Sequence, residues 1–154
     1  MVIAAIFAVP YSVTLASWFG VTMYSIVFVQ WFQIRSADPD AYEDVIQQIA
    51  QGARTKALLV IAVVAVTGTG FVVSRALESP GPGGLWFALM AVKLALFAVA
   101  CAIFVFQSWW VWPKRIFARP DEMPSVRMEF LRASLALAAA QSSMIAVDAI
   151  AATI

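Results

Sequence analysis

Apolar residues fill four long stretches of this chain, and charge, proline and glycine collect in the short segments between them. The stretches cover about residues 10–31, 57–73, 85–112 and 130–154. A helix needs roughly 20 apolar residues to cross a hydrocarbon core about 30 Å thick. None of the stretches alternates with the two-residue period of a barrel strand. The pattern therefore predicts an all-α fold, a bundle of four transmembrane helices in a single domain spanning residues 1–154. The first stretch has an apolar lead-in from Val2. A straight helix from Val2 to Trp31 would be about 45 Å long, longer than the core, so the helix is expected to tilt or the chain to bend at Pro10. In the bent case residues 1–9 would lie along the interface or against a partner. No Lys or Arg precedes this stretch and its apolar run is too long for a signal peptide, so a retained helix is expected.

The segments between the stretches have characters of their own. In the first, Asp38-Pro39 is a helix start, a capping carboxylate followed by proline in the first turn. Tyr42, Val45, Ile46 and Ile49 then recur at three- and four-residue spacing, which predicts a short amphipathic cytoplasmic helix over about 39–52. It would pack on the helix ends or dock a partner. The second segment, Ser79–Gly84, reads as a tight Pro/Gly turn. The third holds Pro113, Pro120 and Pro124 and is expected to be extended. Trp109, Trp110 and Trp112 just before it read as interfacial anchors, with a stacking platform for a pigment or quinone ring as the functional alternative.

Charge gives the bundle a direction. Arg35, Arg54, Lys56, Lys114, Arg115, Arg119, Arg127 and Arg132 flank the first and third segments, against Arg75 alone at the other end. Excess Lys and Arg stay cytoplasmic, so both chain ends are expected on the outer, periplasmic face of a bacterial inner membrane.

Composition narrows the chemistry. The chain is 63% hydrophobic and 12% charged, about half the charged share of a soluble domain, so its missing polar surface must face lipid. A net charge of +1 gives no reason to expect nucleic-acid binding. The chain has no histidine, which removes bis-histidine haem ligation, a His-based copper site and His general-base chemistry from within it. Six methionines and Cys101 show no ligand spacing and read as packing or lipid-facing residues. No resident cofactor or metal and no catalytic set is expected.

Two ionisable residues lie inside apolar stretches, Lys93 and Asp148. A charge in hydrocarbon costs several kcal/mol unless it finds a partner or water. Lys93 lies about 12 Å below Leu85 and Asp148 about 9 Å below Ile154, on consecutive antiparallel helices. Matching depths predict a Lys93–Asp148 ion pair in the outer half, fixing helix register or forming part of a site. Tyr11, Ser12, Thr14, Ser17, Thr67, Thr69 and the deeper Gln141 share that half and are candidates for a small polar cavity, or for ordinary helix packing. The small residues Thr67-Gly68-Thr69-Gly70 and the Ala/Ser run from Ala133 to Ser143 suggest close packing of the second and fourth helices, or of a neighbouring subunit.

Short motifs carry a resemblance. Tyr11 to Arg35 begins Y-S-V-T-L-A-S-W-F-G and ends Q-I-R, Thr67-Gly68 sits in the second helix, and Lys93 falls within A-V-K-L-A-L. These resemble the four-helix copper resistance D (CopD) membrane domain and its HemJ-like relatives across all four helices. The resemblance implies a bundle handling copper or haem near the outer face. The position that corresponds to the family's first-helix histidine is Tyr11 here, so metal or haem binding does not carry over. The expected function is a non-catalytic accessory or structural subunit of a larger respiratory or photosynthetic membrane complex. Its expected partners are membrane lipids and other membrane subunits, with lipid, quinone or pigment contacts shared with them. The alternative is a CopD-like copper transport or membrane redox protein, and a third class would be a quinone-reactive subunit built around Lys93, Asp148 and Tyr11.

Overall fold

Four helices long and apolar enough to cross a membrane make up most of the computed structural model, over Ala4–Arg35, Ala53–Ala76, Gly84–Phe117 and Met123–Ala151. The structure describes residues 2–36, 42–43, 46–47, 52–78 and 81–153, with only the backbone at Val2 and Ile3. Among these residues there is no strand. The chain is an all-α, multi-pass membrane protein.

The first span comprises α1 (Val2–Tyr24), a π-helical segment (Ser25–Gln30) and α2 (Trp31–Arg35). The second is α3 (Ala53–Ala76). The third comprises α4 (Gly84–Phe106), a second π-helical segment (Gln107–Val111) and α5 (Trp112–Phe117). The fourth is α6 (Met123–Ala151). Helix α1 continues through Pro10, so residues 2–9 belong to the span. Of the amphipathic helix expected over 39–52, Asp38, Pro39, Val45 and Ile49 lie outside the described residues. Glu43 and Ile46 are described and buried, and Tyr42 is exposed.

The third segment is not extended. Helix α5 carries Pro113 in its first turn and α6 carries Pro124 in its own, leaving only residues 118–122 outside helices. Pro124 starts a helix, where its missing N–H removes no helical hydrogen bond, whereas Pro113 lies inside the continuous third span, directly after the π-helical turn.

Packing runs second span to first, first to fourth, and fourth to third. One apolar core joins all four, with Tyr11, Leu15 and Trp18 from α1, Val64 from α3, Ala100 from α4, and Leu137, Ala140 and Met144 from α6. The second and third spans meet near their ends, through Phe71 and Trp86 (ring centroids 6.4 Å apart) and through Arg54, whose guanidinium donates to the Ser108 carbonyl at 2.6 Å.

The small face of α3 turns to the first span, and the expected pairing with α6 is not its main contact. A Cβ at Gly68 would stand 3.1 Å from the Tyr11 ring, and one at Gly70 would stand 2.5 Å from the Phe7 ring. The bulky partners of these glycines are aromatic rings of α1, which need the missing side chains. The Ala/Ser face of α6 is used by the third and first spans instead. Gly70→Ala is expected to destabilise the bundle by about 1–3 kcal/mol through overpacking, read as a lower unfolding midpoint in detergent.

Candidate functional site

Near the turn at residues 81–83, three spans bring ionisable groups together inside the bundle. Lys93 of α4 is 6% exposed, and its Nζ pairs with Oδ1 of Asp148 on α6. The Tyr11 hydroxyl of α1 donates to Oδ2 of the same carboxylate at 3.1 Å. Lys93 Nζ also lies 4.0 Å from the centroid of the Tyr11 ring and 5.8 Å from that of Phe71. Both carboxylate oxygens are thus occupied, and the ammonium is held by a carboxylate and the faces of two rings. Paired charge with added hydrogen bonds and cation–π contact is the form in which ions persist in apolar surroundings.

The other outer-half candidates do not converge there. Ser12 and Thr69 are exposed and Thr14 is half-buried. The Thr67 hydroxyl donates to the Val63 carbonyl at 2.6 Å and that of Ser17 to Val13 at 2.7 Å, so both are satisfied within their own helices. Gln141 is fully buried, and neither of its amide atoms has a hydrogen-bond partner among the described residues.

A polar band that sequence reasoning missed crosses the bundle further toward the basic end. Gln30 Nε2 donates to the hydroxyls of Ser134 at 2.9 Å and Ser25 at 3.1 Å, and Gln107 Nε2 donates to Ser134 at 2.7 Å. Ser134 in turn donates to the Phe130 carbonyl at 3.0 Å. Gln30 and Gln107 each sit at a π-helical segment. The backbone N–H after each segment bonds the carbonyl five residues back, Trp31 to Ile26 and Trp112 to Gln107. This widened turn shifts helix phase and directs the two glutamines to Ser134. A signal was present: each of the three polar residues interrupts an apolar stretch five to eight positions from Arg35, Arg115 or Arg127.

The basic end is closed by a second buried ionic group. Arg115 is 1% exposed; its Nε donates to Glu43 Oε1 at 2.6 Å, and its Nη2 to Gln33 Oε1 at 2.7 Å and Glu43 Oε2 at 3.0 Å. Gln33 Nε2 donates to Glu43 Oε2 at 2.8 Å, and Arg127 Nη2 lies 3.5 Å from the same oxygen. Burial pushes the Glu43 carboxyl up, but the hydrogen bond and charge of Arg115, with help from Gln33 and Arg127, hold it below its ordinary value. Glu43 thereby ties the first loop to the third and fourth spans.

A cavity of about 700 Å³ lined by all four spans runs from the apolar core past the polar band to the basic end. Trp18, Val60, Phe104 and Leu137 form apolar walls, and Gln30 and Ser134 face it from the polar band. The tryptophan cluster divides. Trp109 and Trp110 are exposed, Arg54 stacking on Trp109 at 4.6 Å, whereas Trp112 lines the cavity and packs on Phe130 at 5.9 Å. Among the described residues no three His, Cys, Asp or Glu side chains converge on a metal-sized site.

Fold and polar clusters together define a four-span helical membrane bundle with an ion pair near one end and a cavity near the other. No family model matches the chain, and neither a curated protein nor a solved structure matches it significantly.

Proposed function

We propose that the chain is a non-catalytic subunit of a larger membrane assembly of respiratory or photosynthetic type, on a scaffold resembling the CopD domain. The uneven burial of the spans carries this reading. The apolar window of α3 is 6% buried, against 22%, 22% and 33% for the other three, and Val64 is its one fully buried residue. Lipid is as apolar as a leucine side chain, so helices in a bilayer are held by close packing and polar ties. The first, third and fourth spans share such ties through Tyr11, Lys93 and Asp148 and through Gln30, Gln107 and Ser134, whereas α3 leans mainly on the first span. A partner helix against the far side of α3 supplies the missing packing. In this reading the basic end is cytoplasmic, the Lys93–Asp148 end is periplasmic, and both chain ends face the periplasm of a bacterial inner membrane.

The test is photo-cross-linking in native membranes from Leu59 and Val66, 63% and 67% exposed on α3, followed by purification in mild detergent. Cross-links to one other membrane protein that co-purifies are the expected result. Adducts with lipid alone at both positions would show that α3 faces only the bilayer and remove the reading.

A further inference from the structure

The second span changes partner along its length. At the turn end Gly68 and Gly70 let α3 approach Tyr11 and Phe7 of the first span, whereas at the basic end Arg54 reaches the Ser108 carbonyl of the third. The cavity of about 700 Å³ opens where α3 has turned from the one to the other, and it forms a groove. Its walls are mainly apolar, with Trp18, Val60, Phe104 and Leu137 among them. Val21 and Tyr24 also line it and are 69% and 61% exposed, so it opens sideways to lipid. A hydrocarbon chain from the bilayer can enter there without leaving apolar surroundings.

Charge at the basic end of the groove is one-sided. Arg115 is neutralised by Glu43, but Arg54 and Lys56 line the groove as well. Arg54 donates to a neutral carbonyl and stacks on Trp109, so no carboxylate among the described residues offsets its charge. Lys56 is exposed and has neither a hydrogen-bond nor an ionic partner among the described residues. No acidic residue is among the described residues that line the groove. Lys56 stands about 5 Å along the axis from the start of α3, at the depth of the headgroups and not of the hydrocarbon. An exposed cation at that depth favours an anionic lipid by roughly fivefold.

We propose that this groove binds one anionic phospholipid. One acyl chain enters past Val21 and Tyr24 and lies along the apolar walls, and the phosphate sits by Lys56 and Arg54. A headgroup with its own ammonium would bring that charge toward the same two cations. A head of net negative charge, as in phosphatidylglycerol, is therefore selected over phosphatidylcholine. The site does not depend on the subunit reading above, because Leu59 and Val66, the positions that test that reading, do not line the groove.

The full chain is exchanged into mixed micelles holding phosphatidylglycerol and phosphatidylcholine in equal amounts, and bound lipids are counted by native mass spectrometry. One tightly retained lipid is expected, with phosphatidylglycerol preferred by roughly fivefold or more. Lys56→Gln is expected to remove most of that preference. Arg132, exposed on α6 and outside the groove, is the control for the general field of the basic end, and Arg132→Gln is expected to leave the preference intact. Val60→Trp, filling the groove from α3, is expected to abolish retention of both lipids while the helical circular dichroism is unchanged. If Val60→Trp does not fold, Lys56→Gln against Arg132→Gln still decides, since both replace exposed side chains. Equal retention of the two lipids by the unaltered protein overturns the proposal. So does an equal loss of preference in Lys56→Gln and Arg132→Gln, which would assign it to the basic end as a whole. Displacement of the lipid by glycerol phosphate alone also overturns it, because the groove would then serve a soluble phosphate.

Discussion

Arg115→Met is expected to destabilise the bundle by about 3–5 kcal/mol, because it leaves the Glu43 carboxylate buried without its main counter-ion. Arg115 is almost fully enclosed and satisfies both Glu43 oxygens and Gln33. Methionine keeps most of the volume, so the loss is mainly electrostatic. The pH dependence distinguishes this from a packing defect. In the unaltered protein the Glu43 carboxyl sits below its ordinary value. A depressed carboxyl contributes stability that is fully present above its unfolded value and is lost as pH falls through the folded one. In Arg115→Met, burial, the largest single influence on Glu43, is opposed only by Gln33 and Arg127. The folded value is then expected to rise above the ordinary one. A raised carboxyl stabilises below its unfolded value and loses that contribution as pH increases through the folded one. The variant should therefore gain stability on mild acidification where the parent does not. Unfolding midpoints across the range from about pH 4 to 7 in one detergent, followed by circular dichroism, test this. Parallel curves for the two proteins would mean that Arg115 does not hold Glu43 ionised.

Asp148→Ala is expected to cost about 3 kcal/mol, the lower part of the range for a broken buried pair. The loss strands the Lys93 ammonium and removes the acceptor of the Tyr11 hydroxyl. The figure falls at the low end because the Asp148 side chain is 29% exposed, so the pair is not fully enclosed in the folded bundle. The apolar double replacement Lys93→Met with Asp148→Leu should recover most of the stability, since a well-packed apolar pair often equals a buried ionic one. A full double-mutant cycle by SDS-driven unfolding in mixed micelles gives the coupling directly. Additive single effects would show that the two charges do not depend on each other.

These two clusters differ in how far the sequence exposes them. The four spans are readable because hydropathy is a property of whole stretches, so small errors at the ends change little. Lys93 and Asp148 stand out because a charge among apolar residues has few places to go, and counting residues from the helix ends assigns each a depth. The structure places them in contact, with Tyr11 as third member. Glu43 and Arg115 give no such sign. They are 72 residues apart, and Arg115 looks like one more basic residue beside a membrane. Nor does the orientation of Gln30 and Gln107 appear in the pattern, because an almost wholly apolar helix has no polar face from which to read a phase. The glycines of α3 mark close contact, but only the structure shows that the neighbour is the first span. In the third segment the prolines suggest extension when counted, yet Pro113 sits inside the third span and Pro124 in the first turn of α6.

The two π-helical segments also bear on how this molecule can change over time. Each lies between a turn-end half, holding the Tyr11–Lys93–Asp148 cluster, and a basic-end half, holding Gln33 and Arg115. Removing one residue from such a segment restores an ordinary helical turn and rotates everything beyond it by about 100° relative to the rest. The first span would then carry Gln33 away from Arg115 while Tyr11 kept its place. Single-residue insertions and deletions at these two points are thus the natural means by which a lineage could re-aim one half of the bundle and leave the other unaltered.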